Sequence, residues 1–148
     1  MAHWSEGMGP NFVPAYQISG IPYVTSSILN EVGTTPISVT FPQVTRFFVV
    51  QNISENPLRV GFTSNGVSAA ETANYLILSG NQATGRLELR CKELYFLREG
   101  SSNCGFSVLA GLSGVANSQF PTLTSSLLLS GADGDPLPQP IPKFEGVG

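Results

Sequence analysis

Charge is what this chain has least of. Only 11% of its 148 residues are Asp, Glu, Lys or Arg, while 41% are hydrophobic; an ordinary soluble domain carries roughly 25% charged residues. Much of the surface must therefore be neutral and polar, or be covered by partners. Seven cations against ten acids give a net charge of −3, with no basic stripe beyond Arg86, Arg90 and Lys92, so nucleic acid is not an expected partner. Histidine is almost missing as well: the single one, His3, sits near the start of the chain. A general base or a metal centre would normally draw on that residue type.

Cysteine is scarce, and Cys91 and Cys104 lack the companion ligands of a structural zinc site. They could in principle pair with each other. Yet Cys91 shares the parity of Leu87 and Leu89, and Cys104 that of Phe106 and Val108, so each is expected as a buried free thiol. No uninterrupted apolar stretch approaches the roughly 18 residues of a membrane span. The start, Met1-Ala2-His3-Trp4-Ser5-Glu6, has neither the basic opening nor the apolar run of a secretory signal. The expectation is a chain made in a reducing compartment, neither secreted nor inserted in a membrane. The match of Asn52-Ile53-Ser54 to a glycosylation sequon is uninformative in that setting.

Catalytic constellations are equally thin. Gly111-Leu112-Ser113-Gly114 fails the spacing of a nucleophile elbow, and no histidine elsewhere in the chain could activate Ser113. Glu88 and Glu93 interleave with Arg86, Arg90 and Lys92, the pattern of a solvated charged face rather than an acid/base pair. Asp133-Gly134-Asp135 lacks the further acidic ligands of a calcium loop. No phosphate-cradling glycine loop is present. Neither an enzyme nor a cofactor site is expected.

What the sequence does have is β-pattern. At 148 residues it is long enough for one domain with a core that needs no disulfide or metal. Residues 43–63 carry the clearest signal: two β-branched and aromatic runs around Ser54-Glu55-Asn56-Pro57, which predicts a strand, a turn and a strand. In the first run Val44, Phe48 and Val50 share one face and Phe47 and Val49 the other. Bulk on both faces predicts a strand inside a sandwich. In the second run Leu58, Val60 and Phe62 oppose Arg59, Gly61 and Thr63, as in a half-buried strand.

Around this pair, strands are expected over residues 23–29, 37–41, 75–78, 86–92 and 106–112, each closed by a turn signal. Residues 65–74 read as a loop or one helical turn. Leu94 and Phe96 fall in step with Arg90 and Lys92, so a bulge or bend is needed near residues 91–93 to keep them inside. Residues 113–121 read as loop, and 123–129 as a further strand or an extended arm. About eight short strands at intervals of roughly 8–12 residues, with no helical periodicity, predict an all-β, single jelly-roll-like β-sandwich. The domain is expected over residues 21–130, between an N-terminal extended arm, 1–20, and a Pro-rich tail, 131–148. In that tail Pro136, Pro138, Pro140 and Pro142 alternate with other residues, which favours polyproline II.

Three stretches bring a family into view: Phe41-Pro42-Gln43-Val44-Thr45-Arg46-Phe47-Phe48-Val49-Val50-Gln51-Asn52, then residues 57–67 from Pro57 to Val67, and Gly105-Phe106-Ser107-Val108-Leu109-Ala110-Gly111-Leu112-Ser113-Gly114. Over about residues 36–114 the succession of strands and turns resembles the small single jelly-roll capsid proteins of large icosahedral DNA viruses, most nearly the penton proteins of algal large DNA viruses. The resemblance implies a homopentamer at each fivefold vertex of the virion capsid, touching neighbouring major and minor capsid proteins. Tailed-phage capsid decoration proteins show a similar run of strands. A sugar-binding sandwich used in host attachment is the other class in play, with Tyr75 beside Asn74 as its modest candidate. On the capsid reading the contacts fall to the arms, where Trp4, Phe12 and Tyr16, then Leu137, Ile141 and Phe144, are the expected anchors, either draped on their own domain or inserted into a neighbour.

Overall fold

The computed structural model describes residues 13–14, 20–28, 30–68, 73–121 and 123. Among these the strands are β1 (Ile21–Ser26), β2 (Ile37–Thr40), β3 (Gln43–Asn52), β4 (Leu58–Gly61), β5 (Leu76–Leu78), β6 (Glu93–Arg98) and β7 (Phe106–Ala116), with a short α-helix, α1 (Ser64–Ser68), between β4 and β5 and a 3-10 turn, Asn117–Gln119, after β7. They pair antiparallel into two sheets, ordered β1-β7-β3 and β2-β6-β4-β5, with the apolar core between them. The expected all-β sandwich is therefore what forms.

An eighth piece completes the first sheet without being a regular strand. Residues 83–91 follow the edge of β3 through isolated bridges, Ala83 to Gln51 and Leu87 to Phe48. Thr45 N also donates to Cys91 O at 2.9 Å. Gly85, at φ 72°, takes a left-handed turn that breaks the alternation expected over residues 86–92. One consequence is that Leu89, expected inside, is exposed. Counting this piece, the chain is one long ribbon: β1 lies on β7, β2 on β6, β3 on residues 83–91, and β4 on β5. Rolling that ribbon brings β3 against β7 and β4 against β6.

The pair at residues 43–63 is consequently not a hairpin, because β3 and β4 lie in opposite sheets. Asn52, fully buried, holds the crossing in place. Its Nδ2 donates to Asn56 O at 2.7 Å and to Leu78 O and Ser79 O at 3.1 Å. Its Oδ1 accepts from Ser54 N at 3.0 Å and from Ser54 Oγ at 2.7 Å. Buried polar groups are stable only when bonded in this way. The same bonds leave the sequon amide inaccessible to a glycan.

The slip of parity near residues 91–93 has a clear meaning. There the chain leaves the edge of β3 and enters β6, with Phe41 N donating to Lys92 O at 2.8 Å. Leu94 and Phe96 become fully buried as a result. Three aromatic pairs then link residues of the two layers. Phe96 stacks on Phe106 at 3.9 Å, Tyr23 meets Phe41 edge-on at 5.5 Å, and Phe48 meets Phe62 at 6.3 Å. Ala110, flanked in register by Tyr23 and Phe48, is the small residue that lets both rings reach inward.

Two further stretches differ from expectation. Residues 113–116 continue β7 rather than forming loop, because Ser113 Oγ donates to Val44 O at 2.7 Å and accepts from Val115 N at 3.2 Å. Gly114, at φ 83°, absorbs the accompanying irregularity. The polar stretch after β4 is one helical turn, capped where Gly66 N donates to Thr63 Oγ1 at 2.9 Å. Val67 of α1 packs so closely on Gly61 that a Cβ there would stand 2.6 Å from it. The polar side of β4 is thereby covered, and Gly61 and Thr63 are buried rather than solvated.

Candidate interaction surface

Strand alternation aims every second residue of β1, β7 and β3 away from the core. Pro22, Gly111 and Phe47 form one such row, Val24, Leu109 and Val49 the next, and Ser26, Ser107 and Gln51 a third. The first two rows are apolar and adjacent. Val24 is 66% exposed and Leu109 45%, while Phe47 and Val49 are half-buried. The Phe47 ring lies over Gly111, where a Cβ would come within 2.3 Å of it. Only glycine fits beneath that ring.

Cations rim the patch. The Arg86 guanidinium sits 4.3 Å from the Phe47 ring centroid and that of Arg46 5.9 Å, both within cation-π range. Arg86 is also paired with the exposed Glu88 at 2.6 Å. On the opposite border the polar row closes with Ser26 Oγ donating to Ser107 Oγ at 2.9 Å. The result is a flat apolar face with a polar margin, the usual character of a surface that meets another surface.

At one end of the sandwich Asn30, Ile53, Ser54, Glu55, Asn56 and Asn81 line an open depression of about 340 Å³. One of its amides, that of Asn56, is engaged in a network that ties the loops together. Asn56 Nδ2 donates to Asn103 O at 3.2 Å, Asn103 Nδ2 donates to Asn30 O at 3.1 Å, and Arg98 Nη1 donates to Asn103 Oδ1 at 3.0 Å. Tyr75, the sugar-binding candidate, is partly covered: the Arg59 guanidinium lies 4.5 Å from its ring centroid. Arg59 is fixed there by Glu99 and by donating to Val67 O at 3.0 Å.

The groups of chemical interest are tied into the fold. Burial pushes the Cys91 thiol up to about 12, against a lesser downward pull from the Thr45 hydroxyl. Burial raises Cys104 as well, and both cysteines are free thiols. Thiols held protonated in this way are poor nucleophiles. Ser113 is buried in β7 with its hydroxyl on backbone. Among the described residues no group of three or more His, Cys, Asp and Glu side chains is placed to hold a metal ion, and no helix is long and apolar enough to cross a membrane.

The anchors expected from sequence, Trp4, Phe12, Tyr16, Leu137, Ile141 and Phe144, lie outside the described residues, as do Asp133 and Asp135. The face built by Val24, Leu109, Val49 and Phe47 was not among the expected sites. Its signal was present in the doubly apolar pattern of residues 44–50. Such a pattern fits a strand enclosed on both sides, and it equally fits an outer sheet face left for a partner. No known protein family, curated protein or solved structure matches the chain.

Proposed function

We propose that the chain is a non-enzymatic structural protein of an icosahedral virion capsid, the penton subunit of a single jelly-roll family, acting as a homopentamer among major and minor capsid proteins. The observation that carries this reading is the order of strand pairing. A ribbon with β1 on β7, β2 on β6, residues 83–91 on β3 and β5 on β4, rolled into two sheets, is in keeping with the two-Greek-key winding of a jelly roll. That winding supports the resemblance on which the capsid reading rests.

Two other features agree with it. The chain is poor in charge, and one sheet presents an apolar outer face with a polar margin, as a subunit bonded by packing would. The sugar-binding reading loses support because one face of Tyr75 is occupied by Arg59. Native mass measurement of the full chain tests the proposal. Five copies are expected; three would favour a decoration protein, and a single copy at high micromolar concentration would count against a self-assembling penton. Removing residues 134–148 should weaken the pentamer while leaving the far-ultraviolet dichroism of the sandwich unchanged.

A further inference from the structure

The apolar face of the β1-β7-β3 sheet and the Pro-rich end of the chain match in chemistry, in charge and in spacing. On the sheet stand Val24, Leu109, Val49 and Phe47, with Arg46 and Arg86 against the Phe47 ring. Beyond Leu123 the chain continues to Gly148 and carries Leu137, Ile141 and Phe144 among four alternating prolines. That stretch holds three acids, Asp133, Asp135 and Glu145, against one cation, Lys143. An acidic, apolar segment is the complement of an apolar face whose rim carries Arg46 and Arg86, the latter able to exchange its exposed partner Glu88 for a docked carboxylate.

The spacing agrees too. In the polyproline II form that alternate prolines favour, residues four apart in sequence, as Leu137 and Ile141 are, would stand about 12 Å apart. On the sheet, Val24 and Phe47 are separated by two strand spacings and one same-face step along the strand, a diagonal of about 12 Å. Reach is ample. Phe120 packs beside Val44 and Val115 at the start of β3, and the residues from there to Leu137 can span about 50 Å when extended. Pro-rich segments bind aromatic-lined surfaces at low entropic cost because their backbone is already extended.

We propose that residues 135–145 of this chain dock on the outer face of the β1-β7-β3 sheet, with Leu137 and Ile141 on the Val24, Leu109 and Phe47 rows and the acidic residues toward Arg46 and Arg86. This inference does not depend on the capsid reading, since a pentamer can form without the contact and the contact without a pentamer.

Full-length protein carrying the photoreactive p-benzoylphenylalanine in place of Phe144 tests it. After irradiation, the cross-linked peptides are expected to map to residues 20–26, 46–51, 86–90 and 107–112. Cross-links within one chain and between two chains both support the proposal, because the occupant is the same segment. Adding Leu109→Asp, at an exposed position, should lower the cross-linking yield about tenfold, the loss expected for one apolar anchor. Leu76→Asp, at the equally exposed edge of the other sheet, should leave the yield unchanged. Cross-links confined to other surfaces, their absence, or an equal loss from Leu76→Asp would overturn it. Unchanged thermal melting of both variants excludes unfolding as the cause.

Discussion

Two leucines on central strands, both pointing outward, meet opposite fates. Leu97 of β6 is 7% exposed, and Leu109 of β7 is 45% exposed. Leu97 pairs with Arg59 of β4, whose guanidinium is pinned over Tyr75 by Glu99 and the Val67 carbonyl, and α1 packs on the same strands. Leu109 lies between Val24 and Val49 with no comparable cover among the described residues. One sheet covers the centre of its outer face with its own chain, leaving Ile77 exposed only at its β5 edge; the other leaves apolar surface at its centre at the disposal of a contact. The difference separates packing needed to fold from packing held for something else.

Truncation of the covered leucine should break the comparison most sharply. Leu97→Ala is expected to cost about 2–4 kcal/mol, the range for a buried leucine whose site collapses only in part, read as a lower midpoint in urea. Next comes the crossing between the sheets. Asn52→Ala strips donors from three carbonyls and an acceptor from Ser54, and should cost about 1–3 kcal/mol for the groups left unpaired.

Taken per pH unit, the next effect is smaller and acts at the other crossing. Folding holds the Cys91 proton, whose pKa moves from 9.0 to about 12, so above pH 9 the unfolded chain binds fewer protons than the folded one. Stability should therefore fall by about 1.4 kcal/mol per pH unit between 9 and 12. Cys104 and Tyr95, also raised, act in the same direction. Replacing Cys91 by Ala should flatten the slope by one proton's worth, measured as denaturation midpoint against pH. Smallest of all, Leu109→Ala should move the stability of an isolated subunit by no more than about 0.5 kcal/mol. A loss as large as that of Leu97→Ala would show that the open face is closed within one subunit.

Alternation made much of this fold legible. Phe106, Val108, Ala110 and Leu112 point inward as their spacing predicts, and the slip after Cys91 marks the place where the chain changes sheets. Other features resisted for physical reasons. Ser54-Glu55-Asn56-Pro57 would turn a hairpin or a crossing alike; the decision rests with Asn52, whose five bonds draw on residues as distant as Ser79. The alternation over residues 86–92 ignores Gly85, whose positive φ interrupts the pairing. Ser113 looked like loop because nothing local reveals that its hydroxyl reaches Val44 O. A doubly apolar strand fits an enclosed position and an open outer face alike, so the pattern of residues 44–50 does not by itself reveal the open face. The arm residues expected as contacts lie outside the described residues.

The position of β7 also sets an order in time. Among the described residues it is the last strand, yet it stands between β1 and β3, which do not pair with each other. While the chain is being synthesised, β1 and the edge of β3 that faces β7 therefore wait unpaired until residues 106–116 emerge and join them. Pairings as distant as Ile21 with Leu112 make for a slow, late closure. A ribosome stalled before residue 106 would hold a chain whose first sheet lacks its centre, and release of β7 is the event that turns two exposed edges into a domain.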